Sequence, residues 1–577
     1  MKRLYFYSSK FLLIILFSSL ISYFVLKYFA PILSATSLIF PYAVTPFDIC
    51  NKLPIFWKHL KLFYIFSVCY LSFIFFNNIF SSFIFRKFKK SVKSSSYSSS
   101  STHLSLYVGN SFETSSKLFI PEKGLYQNIL ITGTIGSGKT SSAMLPFTKQ
   151  LINYDCQDES KKFGMLILDV KGNFFKEVVE FARQCNRLDD IITIEVGGHF
   201  KYNPLDKPNL SPIVLANRLK TILTLFSSNN SDSYWLDKVE QVLAESIKLC
   251  RLYNNNYVTF NELHNLINSP EYYKSKLSYL RTLFQEGNLS TNQIYDLNSS
   301  ISFFEKELFS LDSRVLSILK SEITRITNTF ISSYDIYNTF CPSKECINFN
   351  GFSEVLEKGK IVVLNMNIAE YKNLSKMLAT YLKLDFQTEI MLQLTNPSSI
   401  RTSCFICDEF HEYVTSTDAD FFSQSREAKS INIVATQSYT SLLDSLNNQA
   451  TVKVIIQNLI NKLWFRTDDS FTIEDIQKQI GKEDKIKTSK TISENAHETH
   501  FNYLTNSLNS KNSSVSESIN SYIQSDFTYD SRFFTQDLKT FECLAFLSDG
   551  SQIIKPEKLK LEPYFKDITK KKKIGII

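Results

Sequence analysis

The sequence predicts a mixed α/β fold, and three features lead to it. The short apolar run Gln127-Asn-Ile-Leu-Ile-Thr132 leads into Gly133-Thr-Ile-Gly-Ser-Gly-Lys139-Thr140. Ser141-Ser-Ala-Met-Leu follows as a helix start, giving the order strand, glycine loop, helix. Further apolar runs of strand length end in a polar or acidic residue: Met165 to Asp169, Ser403 to Asp408 and Ile431 to Gln437. Between them, apolar residues recur near helical spacing from Ser231 through Leu252 and again from Phe303 to Ile331.

Ahead of this body lie two apolar stretches. Phe11 to about Ala30 carries Lys27 as its only charge, about the ~20 residues a helix needs to cross a bilayer. Phe63 to Phe85 is free of charge. The region after the first stretch is again apolar (Ile32 to Phe40) and has no clear small-residue cleavage site, so an anchor is favoured over a signal peptide. Lys2, Arg3 and Lys10 precede the first stretch, and Arg86, Lys87, Lys89, Lys90 and Lys93 follow the second. That distribution predicts a multi-pass cell-membrane protein with two spans and both termini in the cytoplasm. Ser94 to Thr102, nearly all serine, reads as a flexible linker to one large cytoplasmic body.

At 577 residues the chain is long enough for two or three domains. It has 49 Phe and 29 Tyr against 15 Gly, a bias that fits segments in lipid. The net charge of +8 allows an anionic partner without demonstrating one. Ten cysteines lie without framework spacing, which excludes a disulfide scaffold and predicts reduced thiols.

The glycine loop is a phosphate cradle. Its backbone N–H groups converge on the phosphates, and the following helix adds its positive end. Gly133, Thr134, Ile135, Gly136, Ser137, Gly138, Lys139, Thr140 and Ser141 are expected to hold ATP. Lys139 neutralises the β and γ phosphates, and the Thr140 hydroxyl is a ligand for Mg²⁺. Hydrolysis also needs acid at another strand end. Asp408-Glu409 fits best, Asp408 holding Mg²⁺ through a water and Glu409 orienting or deprotonating the attacking water. Asp169 either flanks the nucleotide or caps the next helix. Gln437 is placed to sense the γ-phosphate or the water, and Arg426 to reach a neighbouring subunit's nucleotide. The chain is therefore expected to be an ATPase.

Two decoys drop out. His497-Glu-Thr-His500 has its histidines at i and i+3, whereas a zinc protease needs i and i+4. Cys404 and Cys407 sit at i and i+3 on a strand, facing opposite sides, with no second pair.

With these residues in hand, a resemblance emerges. In order come two N-terminal apolar spans, the loop, Asp169-Val-Lys171-Gly172 and Tyr202-Asn203-Pro204-Leu205-Asp206, then a helical stretch. Glu357-Lys358-Gly359-Lys360 then turns into the strand Ile361 to Leu364, followed by Asp408-Glu409-Phe410, Ser425-Arg426-Glu427 and Ala435-Thr-Gln437-Ser438. This order resembles the type IV coupling proteins, the TraG/TraD group of conjugative DNA-transfer ATPases. It departs from the pattern at Val170 and Asn173. The resemblance implies a RecA-like P-loop NTPase domain on two transmembrane helices, interrupted by an all-α insertion domain. The implied layout is a membrane anchor over 1–90, a linker over 91–103, motor over 104–209 and 341–565, insertion over 210–340, and a basic tail over 566–577. It further implies a ring homohexamer at a type IV secretion channel, with relaxase and single-stranded DNA as partners, gripped without sequence readout. A chromosome pump of the FtsK type and a membrane scaffold with a non-hydrolysing site are the competing readings.

Overall fold

The computed structural model describes residues 104–565 apart from 171, 173, 227–232, 367, 396–399, 495–500, 503–506 and 509–514, together with scattered positions between 59 and 74. The chain divides into two units, Met1–Ser98 and Ser99–Ile577. The expectation of a multi-pass membrane location with two spans is corrected: among the described residues no helix is long and apolar enough to cross a membrane. The helical positions described in that region run from His59 to Ile74. The first stretch, the serine linker, the basic tail and the His497–His500 decoy lie outside the described residues.

The second unit is built on an eleven-stranded sheet. Its strands in chain order are β1 (Ser105–Ser111), β2 (Lys117–Pro121), β3 (Ile129–Thr132), β4 (Gly164–Leu168), β5 (Ile191–Ile194), β6 (Ile361–Leu364), β7 (Ser403–Cys407), β8 (Ser430–Thr436) and β9 (Asn461–Phe465). Two late strands complete it, β14 (Glu542–Phe546) and β15 (Glu557–Lys560). The order across the sheet is β2-β1-β15-β14-β9-β3-β8-β7-β4-β6-β5. From β9 to β5 every pairing is parallel, and from β14 to β2 every pairing is antiparallel. Strands β14 and β15 form a late antiparallel pair.

Parallel strands need both faces covered, and the sequence supplies both. Leu130, Leu166, Leu168, Phe405, Cys407 and Val434 face one core, while Ile129, Ile131, Met165, Ile167, Cys404, Ile406 and Ile433 face the other. Cys404 and Cys407 are thus small buried residues on opposite faces. Helix α1 (Leu145–Asn153) follows the glycine loop, and α2 (Phe174–Gln184) follows β4. Both place residues in the second core.

Among the described residues eight α-helices lie between β5 and β6, the first seven being α3 (Pro212–Thr224), α4 (Ser233–Tyr253), α5 (Phe260–Asn268), α6 (Pro270–Gln285), α7 (Thr291–Ser302), α8 (Ser313–Ile331) and α9 (Tyr334–Phe340). Side-chain caps set several starts, with Thr259, Ser269, Ser290, Asp312 and Ser333 each accepting a backbone N–H of the first turn. After them come α10 (Phe352–Lys358), closed by Gly359 at φ 65°, and α11 (Ile368–Leu392). Later in the chain come α12 (Asp418–Gln424), α13 (Tyr439–Leu446), α14 (Gln449–Asn458) and α15 (Ser470–Ile480).

The polar stretch from Glu483 to Ser525 reads from sequence as loop-rich or as paired, irregular strands. Its described residues are paired strands of regular register. Strand β10 (Lys482–Glu494) pairs antiparallel with β13 (Val515–Phe527) along its whole length, and β11 (Phe501–Asn502) pairs with β12 (Ser507–Leu508). Cross-strand pairs such as Ile486 with Ile523, and ion pairs such as Lys487 with Asp526 at 3.0 Å, register it. The polar composition hid the regularity of a strand pair with little core to bury.

One buried charge ties α11 to α3 and to the segment that follows β5. Asp385 on α11 is fully buried and accepts from Lys207 at 2.7 Å, Arg218 on α3 at 2.8 Å and Tyr202 at 3.0 Å. The two cations hold its carboxyl below the usual carboxylate range against the cost of burial. Removing it leaves two buried cations unpaired, so Asp385→Ala is expected to destabilise the unit by about 3–5 kcal/mol, read as the shift in chemical denaturation midpoint.

Candidate active site

The site lies where the parallel strands end. Thr132 pairs with Thr436, and Cys407 pairs with both Val434 and Leu168. The segments leaving β3, β8, β7 and β4 therefore emerge along one edge. These are the glycine loop, Gln437, Asp408-Glu409 and Asp169.

The loop is folded on itself. Gly136 and Gly138 take φ 78° and 100°, conformations a side chain opposes. The Ser137 hydroxyl donates to the Thr134 carbonyl at 2.7 Å. Thr134 donates its N–H to the carbonyl of Arg466, at the end of β9, at 2.9 Å. Ile135 and Gly136 form the exposed crest, while Ser137 and Lys139 are buried. Lys139 donates to the carbonyls of Gly133 and Thr134. A π-helical turn over Thr140–Met144 then leads into α1.

The Thr140 hydroxyl donates to Asp408 Oδ2 at 2.7 Å, and Asp408 Oδ1 accepts the N–H of Glu409 at 3.0 Å. Burial pushes the Asp408 carboxyl up to about 6, against the pull of the Thr140 hydroxyl. A hydroxyl and a carboxylate in contact are hard oxygen donors, the set a Mg²⁺ ion takes. Gln437 Nε2 donates to Glu409 Oε2 at 3.3 Å. Lys383, fully buried, donates to Tyr413 O at 2.8 Å, to Thr415 Oγ1 at 2.9 Å and to Asp418. That grip holds the loop that follows Glu409.

The structure thus brings together the loop residues, Asp408, Glu409 and Gln437. It does not bring Arg426 to them. Arg426 is exposed in the turn before β8, at the opposite edge of the sheet. Asp169 accepts the N–H of Phe174, the first residue of α2, at 3.1 Å, which is the capping reading. Its charge also faces Asp408. Sequence reasoning missed His411. Its Nδ1 lies 3.8 Å from Glu409 Oε2 and 3.4 Å from the Thr436 hydroxyl, and burial holds its pKa below the ordinary value. Its place two residues after Glu409 was the available signal. Among the described residues no cluster of three or more His, Cys, Asp or Glu could hold a metal ion alone.

Sheet and loop together make the RecA-like P-loop NTPase fold. Within that fold, residues 403–522 match the family model TraG-D_C, described as the TraM recognition site of TraD and TraG. The resemblance to the TraG/TraD coupling proteins is borne out. The fold is shared with the plasmid coupling protein TrwB. In complex with ADP and Mg²⁺, TrwB aligns at TM-score 0.52 and 12% identity, covering 80% of this chain and 94% of that one. Its complexes with non-hydrolysable ATP and GTP analogues align at TM-score 0.51 each, at 12% and 11% identity. They cover 80% of this chain and 95% and 96% of those chains, respectively. No curated protein matches by sequence.

Glu409 carries a strain of its own, at φ 50° and ψ 49°, left-handed for a residue with a side chain. Glu409→Gly and Glu409→Gln both remove the carboxylate, but only glycine relieves the backbone. Glu409→Gly is expected to be the more stable of the two by about 1 kcal/mol in urea unfolding.

Proposed function

We propose that this chain is an ATP-driven motor that couples relaxase-bound DNA to a type IV secretion channel during conjugation. The carrying observation is a complete phosphate loop facing Asp408, Glu409 and Gln437, in a chain whose 403–522 segment matches the TraG/TraD family. The solved TrwB complexes with ADP and Mg²⁺ and with an ATP analogue support the same cofactors here.

In this reading the loop N–H groups and Lys139 hold the triphosphate, and Thr140 and Asp408 hold Mg²⁺. The bound ion neutralises charge on the transferring phosphoryl group. Glu409 orients the attacking water and takes its proton, while Gln437 steadies the Glu409 carboxylate. Arg426, exposed and remote from its own loop, serves a neighbour's nucleotide in a ring of six. DNA is gripped as a single strand through its phosphates, without base readout. The 403–522 segment offers the docking site for a relaxosome protein of the TraM kind.

Purified oligomeric protein should hydrolyse ATP faster when single-stranded DNA is added. Hydrolysis indifferent to DNA would sink the DNA-motor reading. Lys139→Ala should lose nucleotide binding by calorimetry. Glu409→Gln should keep binding and lose about 100-fold or more in kcat. Mixing Arg426→Ala with Glu409→Gln subunits should restore part of the activity, and no recovery at any ratio would remove the trans role.

A further inference from the structure

The far end of the chain closes one flank of the phosphate loop. Phe541 sits at φ 68°, a left-handed conformation that an aromatic residue adopts only under constraint. Two contacts constrain it. Its N–H donates to the Ser137 carbonyl at 3.1 Å, and its ring lies so close to Gly138 that a Cβ there would come within 2.5 Å of Phe541 Cδ1. Further on, the Tyr564 N–H donates to the Ser141 carbonyl at 3.0 Å. That carbonyl is open to it for a reason in the sequence. In the π-helical turn the Leu145 N–H reaches back to Thr140, so the next partner, for Ser141, would be Pro146, which has no N–H. Phe565 follows, a residue 43% exposed. Its ring centroid lies 6.1 Å from that of Phe541 at 67° and 5.8 Å from that of Tyr564 at 75°.

The position of this aromatic cluster gives it a role. Phe541 precedes β14 and Tyr564 follows β15, so the cluster stands on the β9 side of the loop, whereas Asp408 and Glu409 stand on the β7 side. In such a loop the backbone holds the α and β phosphates and the lysine reaches the β and γ. With the γ end turned to Glu409, the α end, which carries ribose and base, points away toward Ser141 and the aromatic rings.

We propose that Phe565, braced by Phe541 and Tyr564, is the stacking platform for the base of the bound nucleotide. This rests on the reading of the loop as a nucleotide site. Stacking uses the π-face that every base has, so the platform favours nucleotides over bare polyphosphates without selecting among bases. Loss of one stacked base weakens binding roughly 5- to 150-fold.

The test is calorimetric titration of the full chain with ATP and with inorganic tripolyphosphate, both with Mg²⁺. Phe565→Ala should weaken ATP by that factor and leave tripolyphosphate within about twofold, and Phe565→Trp should keep ATP affinity. Unchanged ATP affinity in Phe565→Ala overturns the proposal. Equal weakening of both ligands also overturns it, because the loop itself would then be distorted. A native chain that binds neither ligand fails the nucleotide reading instead, which separates the two.

Discussion

The parallel register of β3, β8, β7 and β4 is the constraint on which the site depends. Strands lie ~4.8 Å apart, so the loop strand and the acidic strand, separated by β8, stand about 10 Å apart. That gap is wide enough for a phosphate chain. The loop and its helix nevertheless curl back far enough for Thr140 to meet Asp408 directly at 2.7 Å. The same register sets Asp169 and Asp408 side by side with Glu409 next along the chain, which crowds three carboxyls at one edge. Burial and that crowding raise the Asp408 carboxyl, so a cation is the natural relief of the edge.

The helical block depends on the sheet through a different device. Its largest core is continuous with one sheet face, and Asp385 ties α11, α3 and the segment at Tyr202 into one buried cluster. Tyr202-Asn203-Pro204-Leu205-Asp206 was recognisable as a family motif. Its work here is structural: Asn203 bonds the Val258 carbonyl at 2.8 Å, and the Pro204 carbonyl accepts from Tyr381.

How much of this was legible in the sequence follows from distance along the chain. The phosphate loop is local, nine residues whose spacing states their chemistry, and the strands ending in Asp408 and Gln437 announce themselves by apolar runs. The fold class was readable for the same reason. His411 was not singled out, because nothing in its neighbours says which way a strand-end turn will point. Phe541 and Tyr564 could not be found, since their meaning lies in contacts with Ser137 and Ser141 more than 400 residues earlier. For the β10–β13 ribbon the pairing was one of two readings and its regularity was not legible, because Ser, Thr, Asn and Lys carry no strong period. The two membrane-length apolar stretches were read from composition alone, and no described helix is both long and apolar enough to cross a membrane.

The order of the strands in the sheet has a consequence for how the protein is made. β3 is synthesised early, yet its neighbours are β8 and β9, about three hundred residues later, and β1 waits for β15. A nascent chain therefore carries a phosphate loop with no flanks for most of its time on the ribosome, with apolar strand edges uncovered. Contacts of such long range make folding slow and leave the half-made sheet open to aggregation. The cell has to shelter this chain until its last strands emerge, and only then does a loop that resembles a finished site become one.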